Sequence, residues 1–181
     1  ARSIEKKDNY FIGQSYRYIG LFYANISVND SAFYFFCKAE KCYKKLCNPK
    51  EVCQINIDKA LIQYYEGDYL ASEASAIKSL KIAKKVNLID KQLNCYYYLL
   101  INSNELQNYR SSIYYGKKAL DLTKKNLNLF KQSDIAYSLN QIANSYSKSG
   151  KLIEAIKYYE LALIKIENSK VPYTTADCQM L

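Results

Sequence analysis

The same kinds of residue recur along this chain at a step of 40 positions. The small residues Ala39, Ser79 and Ala119 are each 40 positions apart, and Ala162 follows 43 positions later. Candidate turn positions keep the same spacing, at Ser27, Gly67, Gln107 and Gly150. A fixed period of roughly 20 to 50 residues is typical of repeat proteins, in which each unit buries its open apolar face against a neighbour. The period therefore predicts four repeated units.

One unit can be read directly from the stretch between Leu139 and Glu167. It contains two amphipathic helices joined by a tight turn at Gly150, with small residues at Ala143 and Ala155 where the two backbones must approach closely. Large apolar residues fill the seam between the helices, namely Leu139, Ile142, Tyr146 and Tyr159. The pattern predicts an all-α chain built from helical hairpins.

We predict a single repeat array over residues 1–181. Its units are expected at 9–46, 50–86, 90–127 and 131–168, with the start of a further helix at 173–181. The chain begins with Ala1 instead of Met, and its last predicted helix lacks a partner. We therefore expect it to be a piece of a longer protein.

Composition argues against catalysis. The chain has no His, which removes the commonest general base and metal ligand, and its Gly residues are too isolated to form a phosphate-binding loop. The spacing of the six Cys does not match a zinc site, although whether any of them pair is left open. Asp58 and Glu105 are expected to be isolated, solvated acids. We expect no catalytic residue, no metal and no cofactor.

The net charge of +9 is carried mostly by lysines. Many of them fall on predicted second helices or just after them: Lys78, Lys81, Lys84, Lys85, Lys117, Lys118, Lys124 and Lys125. Several of these lie in the last turn of their helix, where positive charge offsets the helix dipole. Nucleic-acid binding would require them along one groove with exposed aromatics. No apolar run approaches the roughly 20 residues of a membrane helix. We expect this domain to contact neither nucleic acid nor membrane.

The hairpin pattern resembles the tetratricopeptide repeat (TPR) family. The fourth unit places the family's residue types at Leu139, Ile142, Ala143, Tyr146, Gly150, Ala155, Tyr159 and Ala162. The first unit places them at Tyr16, Ile19, Gly20, Tyr23, Ser27, Ala32, Phe36 and Ala39. The usual TPR period is about 34 residues, so the step here is that of a long-helix variant like those of bacterial regulatory proteins.

Two subfamilies are similar over short segments. DSAFYFFCKAEKCYKKL and EGDYLASEASAIKSLKIAKK resemble repeat arrays that precede the membrane span of bacterial sensor histidine kinases, whereas SLNQIANSYSKSG resembles the Rap and PlcR quorum-sensing receptors. The family resemblance implies a right-handed α-solenoid, the TPR superhelix, whose first helices line a concave groove.

The groove-facing positions predict the ligand site. They are the first-helix residues that avoid the packing stripe, and we select Arg17, Tyr64, Tyr97, Asn104, Asn140, Asn144 and Lys148. An Asn amide can both donate to and accept from a peptide backbone, and Tyr gives a large contact area with a hydroxyl group. Some TPR proteins grip a C-terminal carboxylate with a Lys and Asn clamp, but Asn140 stands at the matching Lys position, so we do not expect that ligand.

These observations predict a non-catalytic protein- or peptide-binding scaffold, serving as the sensing or docking domain of a bacterial signal-transduction or transcription regulator. An intracellular quorum-sensing peptide receptor of the Rap or PlcR kind is the alternative, and an enzyme is the alternative of another class. The bound partner would be a peptide or protein in the concave groove, and a homodimer is compatible with the pattern. The compartment is left open between the bacterial periplasm, as part of a membrane-anchored regulator, and the cytoplasm.

Overall fold

The structure is a computed structural model that describes residues 2–167, with side chains described from residue 8 onward. This part of the chain contains eight α-helices and no strand. They are α1 (Arg2–Asn25), α2 (Asn29–Lys45), α3 (Pro49–Tyr65), α4 (Tyr69–Lys85), α5 (Ile89–Glu105), α6 (Tyr109–Lys125), α7 (Gln132–Lys148) and α8 (Leu152–Glu167). The predicted all-α class is confirmed, whereas the helix predicted at 173–181 lies outside the described residues.

The helices α2 to α6 are regularly spaced. Each is 17 residues long, and each of α3 to α6 begins 20 positions after the first residue of the preceding helix. The turn after α3 shows how α1 to α5 and α7 end. Gly67 has a φ of 77°, its N–H donates to Tyr64 O at 3.0 Å, and the N–H of Asp68 donates to Gln63 O at 2.9 Å. This is a Schellman motif, in which a left-handed residue satisfies the last carbonyls of the helix.

The same turn occurs both within and between hairpins. The described residues with a left-handed backbone are Ser27, Cys47, Gly67, Asn87, Gln107 and Gly150. Four of them are the turn positions that the sequence period predicts. Cys47 and Asn87 lie between hairpins and were not predicted. The elementary step of the fold is therefore 20 residues, and the 40-residue period counts two such steps.

The helices contact one another as two compact units, residues 1–115 and 116–181. In unit 1, α1 packs on α2, α2 on α3, α3 on α4 and α4 on α5, and α3 also contacts α1 and α5. The close approach of α1 to α2 requires Gly20, since a Cβ there would lie 2.6 Å from the ring of Phe36. A buried core cluster of α2 and α3 consists of Ala32, Phe36, Ala39, Tyr43, Val52, Ile55 and Ile62.

In unit 2, helices α7 and α8 pack against each other, and Tyr146 of α7 stacks on Tyr158 of α8 with ring centroids 5.4 Å apart. Its core consists of Leu120, Ile135, Ala136, Leu139, Ile142 and Ala162. None of the helices that the structure describes is long and apolar enough to cross a membrane.

A buried ion cluster joins α2, α3 and α4 within unit 1. Lys59 is only 6% exposed, and its ammonium lies 2.6 Å from Glu40 Oε2. Lys44 and Lys78 reach Glu40 Oε1 at 2.7 and 2.9 Å. Burial would raise the pKa of Glu40, but the hydrogen bonds from these three lysines outweigh it and lower that pKa to about 2. Lys78, which the sequence places on a second helix, therefore also links neighbouring hairpins through Glu40.

Candidate functional site

The seven residues predicted to bind a ligand fall into two sets, one in each unit. Arg17, Tyr64, Tyr97 and Asn104 lie on α1, α3 and α5, and we call them the unit-1 face. Asn140, Asn144 and Lys148 lie on α7, and we call them the unit-2 face. The four members of the unit-1 face therefore lie on three helices of which the middle one, α3, contacts both α1 and α5.

Arg17 is held by the carboxylate of Asp58, which was predicted to be an isolated acid. Its Nε donates to Asp58 Oδ2 at 2.6 Å and its Nη2 to Oδ1 at 3.4 Å. Gln54 Nε2 also donates to Asp58 Oδ1, at 2.8 Å. Asp58 is only 6% exposed, so the expectation of an isolated, solvated acid was wrong. The reason is that its partner stands 41 positions earlier, on the first helix of the preceding hairpin.

The charge of Arg17 is secured by this pairing. Burial of the guanidinium would lower the pKa of Arg17, but the hydrogen bond and the negative charge of Asp58 raise it instead. Arg17 keeps partial solvent access, with a quarter of its side chain exposed. The unit-1 face therefore presents a fixed cation whose nearest anion is already buried beside it.

The two tyrosines of the unit-1 face are both half-buried. Tyr64 packs against Tyr69 of α4, with ring centroids 5.6 Å apart, and against its neighbour Tyr65 at 5.8 Å. Part of Tyr64 is therefore committed to its own hairpin. Tyr65, which the sequence analysis did not select, is 74% exposed. Its position at the last residue of α3, directly before the turn, is the signal that could have identified it.

Asn104 is the least satisfied member of the unit-1 face. It is only 6% exposed, and its Oδ1 accepts no hydrogen bond from the described residues. The same is true of Oδ1 of Asn102, although Nδ2 of that residue donates to Ser72 Oγ at 2.8 Å. A buried acceptor without a donor costs about 1–3 kcal/mol. Asn104 therefore holds a buried acceptor that the described residues leave unsatisfied.

In unit 2, the two asparagines that were predicted to act together have different surroundings. Asn144 Oδ1 accepts from Tyr159 Oη at 2.5 Å, which ties α7 to α8. Asn140, one helical turn earlier, is half-buried, and no side-chain hydrogen bond of this residue is found with the described residues. Lys148 is exposed near the end of α7. Asn144 thus has a structural contact, and all three residues stay predicted ligand contacts.

No family model matches the chain, and no curated protein matches it in sequence. Solved structures do match its fold. The apo form of RapI has a TM-score of 0.81 at 15% identity, over 91% of this chain and 45% of RapI. A Rap protein in complex with competence and sporulation factor gives 0.70 at 16% identity, over 90% of this chain and 44% of that chain. Aspartyl phosphate phosphatase F from Bacillus subtilis gives 0.77 at 21% identity, over 92% and 44%.

This chain therefore spans less than half the length of each of these three neighbours. They are TPR-like helical-repeat proteins, and identities below 25% carry the likeness in fold alone. What is shared is the architecture: the chain has a TPR-like helical-repeat fold.

Proposed function

We propose that this chain is a non-catalytic module that binds a peptide, or an extended segment of a partner protein, on the unit-1 face. In this proposal the module serves as the sensing or docking part of a bacterial signal-transduction or transcription regulator. The observation that carries the proposal is the buried Oδ1 of Asn104, which lacks a donor among the described residues.

The chemistry of the face suits an extended peptide. A peptide backbone supplies N–H donors at regular intervals, so one of them can satisfy Asn104 without any requirement on sequence. The half-buried rings of Tyr64 and Tyr97 offer contact area with little loss of side-chain entropy. Arg17 offers a cation to a carboxylate or carbonyl of the guest. Together these groups favour a guest that is read mainly through its backbone.

A free signalling peptide is a second candidate guest, and the fold likeness to the Rap complex favours it. In that case the chain would belong to an intracellular quorum-sensing receptor. In both cases a short linear peptide should suffice for binding, and the two candidates differ in whether the natural guest is a free peptide or a segment of a partner protein.

The proposal is tested by selecting linear peptides from a phage-displayed library of random dodecamers on the immobilised full chain. The affinity of a selected peptide is then measured by fluorescence anisotropy. We expect Asn104→Leu to weaken binding by about tenfold, which corresponds to about 1.4 kcal/mol. The melting temperature should not fall, because the substitution also removes an unsatisfied buried acceptor.

Two variants serve as controls. Asn102→Leu removes a similar buried amide at a position that is not on the unit-1 face, and Lys81→Ala changes an exposed residue of α4. Both should bind the selected peptide as the unaltered chain does. Failure to select any peptide, or equal affinity in Asn104→Leu, would contradict the proposal. Hydrolysis of acetyl phosphate by the purified chain would contradict its non-catalytic part.

A further inference from the structure

One face of α1 is exposed, although the same face of α3 and α5 is buried. This face, which we call the α1 stripe, consists of residues at the three- and four-residue spacing of one helix side, namely Ile12, Ser15, Ile19 and Phe22. Its apolar members are 45%, 38% and 60% exposed, in chain order. The residues 40 positions later are all buried on α3, namely Val52, Ile55, Lys59 and Ile62. Those 80 positions later are all buried on α5, namely Gln92, Cys95, Leu99 and Asn102.

On α3 and α5 this face is covered by the second helix of the preceding hairpin. The apolar residues of the α3 face share a buried core cluster with residues of α2, and Lys59 Nζ lies 2.6 Å from Glu40 Oε2 of α2. On α5, Gln92 Nε2 donates to Ala83 O of α4 at 3.3 Å. Apolar and polar side chains alike therefore make this face a contact surface for a second helix.

The second helix α8 exposes a position that the other second helices bury. Leu163 is the counterpart of Leu120 by the 43-position step, and of Leu80 and Glu40 by further steps of 40. These three counterparts are at most 9% exposed, whereas Leu163 is 58% exposed. Exposure of a large aliphatic side chain at this position therefore distinguishes α8 from α2, α4 and α6.

This position of a second helix faces the first helix that follows it. Glu40 pairs with Lys59 of α3, and Leu120 lies in one buried core cluster with Ile142 of α7. Lys59 and Ile142 are both counterparts of Ile19, since they follow it by 40 and 123 positions. The two junctions match their residues, an anion with a cation in the first and two aliphatic side chains in the second.

We propose that this chain associates with a second copy of itself, with α8 of one copy on the α1 stripe of the next and Leu163 opposite Ile19. The second copy is the occupant because the chain itself exposes both halves of the contact that joins its hairpins, and both halves are aliphatic. Ile156 of α8, which is 57% exposed, adds to the apolar area. Since the two surfaces differ, the contact is heterologous and repeats from copy to copy. Association should therefore continue beyond a dimer as the concentration rises.

Sedimentation equilibrium of the full chain at a series of concentrations tests this association. We expect the weight-average mass of the unaltered chain to exceed that of one chain and to rise with concentration. Ile19→Lys and Leu163→Glu each place an unpaired charge in the apolar contact. Each should raise the dissociation constant by about tenfold or more. The melting temperature should stay unchanged, because both side chains are exposed in the single chain.

An equal mixture of the two single variants is the decisive sample. It brings the new lysine of one variant opposite the new glutamate of the other, as Lys59 lies opposite Glu40 within one chain. The second contact in the mixture keeps Leu163 opposite Ile19. We therefore expect the mixture to associate although each variant alone does not, and a folding defect in either variant could not produce that recovery.

Leu70→Lys is the matched control, because Leu70 is an exposed leucine of α4 that belongs to neither surface. It should associate as the unaltered chain does. All these variants should still bind the library-selected peptide, since none of them alters the unit-1 face, so the two proposals fail separately.

Three results would each overturn the inference. They are an unaltered chain that stays a single species at every concentration, a single variant that associates as strongly as the unaltered chain, and a mixture that stays unassociated. The first result would assign the exposed surface of α8 to another partner, such as residues 168–181 of the same chain.

Discussion

At the scale of single residues, the turns between helices show where this sequence departs from the conformational preferences of its residues. Six residues in the described part of the chain adopt a left-handed backbone, and four of them are Ser27, Cys47, Asn87 and Gln107. Glycine accepts this conformation without steric cost, whereas a side chain does not. The helix-to-helix step of 20 residues is thus maintained even where the residue at the turn is unfavourable.

Replacing Gln107 by Gly should stabilise the protein, because the exposed Gln side chain is strained by a φ of 58°. We expect the free energy of unfolding to rise by about 0.5–1 kcal/mol. The opposite substitution, Gly67→Ala, places a side chain at an equivalent left-handed turn position. A Cβ at Gly67 would meet nothing within 4 Å, so any loss must come from the backbone alone, and we expect a decrease of about 1 kcal/mol. Urea unfolding measures both, and a destabilised Gln107→Gly would contradict this account of the turns.

The two asparagines of α7 should also respond differently to substitution. Tyr159→Phe removes the donor to Asn144, so the free energy of unfolding should fall by about 0.5–1.5 kcal/mol. Asn140→Ala should change it by less than about 0.5 kcal/mol, as for a surface site. Thermal or urea unfolding of the two variants measures these changes in the free energy of unfolding. Equal effects would mean that the Tyr159 hydrogen bond does not hold α7 and α8 together.

At the scale of helices, the buried Glu40 cluster links the first hairpin to the second. Lys59 of α3 and Lys78 of α4 both reach back to Glu40 of α2. A fully apolar seam would accept several helix arrangements, whereas one buried carboxylate requires its lysines in fixed places. Removing that carboxylate by Glu40→Gln leaves Lys59 buried without its anion. We expect the free energy of unfolding at neutral pH to fall by about 3 kcal/mol, measured by urea unfolding.

Acidification should lower the stability of the protein through the same Glu40 cluster. The pKa of Glu40 is about 2 in the folded protein, against 4.5 for an unperturbed Glu. A depressed carboxylate pKa contributes stability that is fully present above the unfolded value and is lost as the pH falls toward the folded one. Stability should therefore decline between about pH 5 and pH 2, and the Glu40→Gln variant should show a shallower decline. Parallel pH profiles for the two proteins would contradict this assignment.

At the scale of the whole molecule, the repeated pattern was enough to predict the all-helical class and four of the left-handed turn positions. It succeeded because Gly67, Gly150 and the small residues that recur every two helices are local signals with a fixed spacing. It did not predict the pairs Arg17–Asp58 and Glu40–Lys59, which join residues 41 and 19 positions apart. Such pairs depend on how one hairpin lies against the next, and no local periodicity records that.

The candidate site was predictable only as a set of positions. The period assigned Arg17, Tyr64, Tyr97 and Asn104 to first helices, and the structure places them on contacting helices of unit 1. It could not reveal that Asn104 Oδ1 lacks a donor or that Asn144 is already engaged by Tyr159. Hydrogen-bond satisfaction is a property of the packed state, since each acceptor is solvated in the unfolded chain.

Binding of an extended peptide to the unit-1 face can be located by hydrogen exchange of the full chain with and without a library-selected peptide. We expect added protection on the first helices of unit 1, in the segments of α3 and α5 that contain Tyr64, Tyr97 and Asn104. Protection confined to the second helices α2 and α4 would contradict it and would place the ligand on the lysine-rich side of the hairpins.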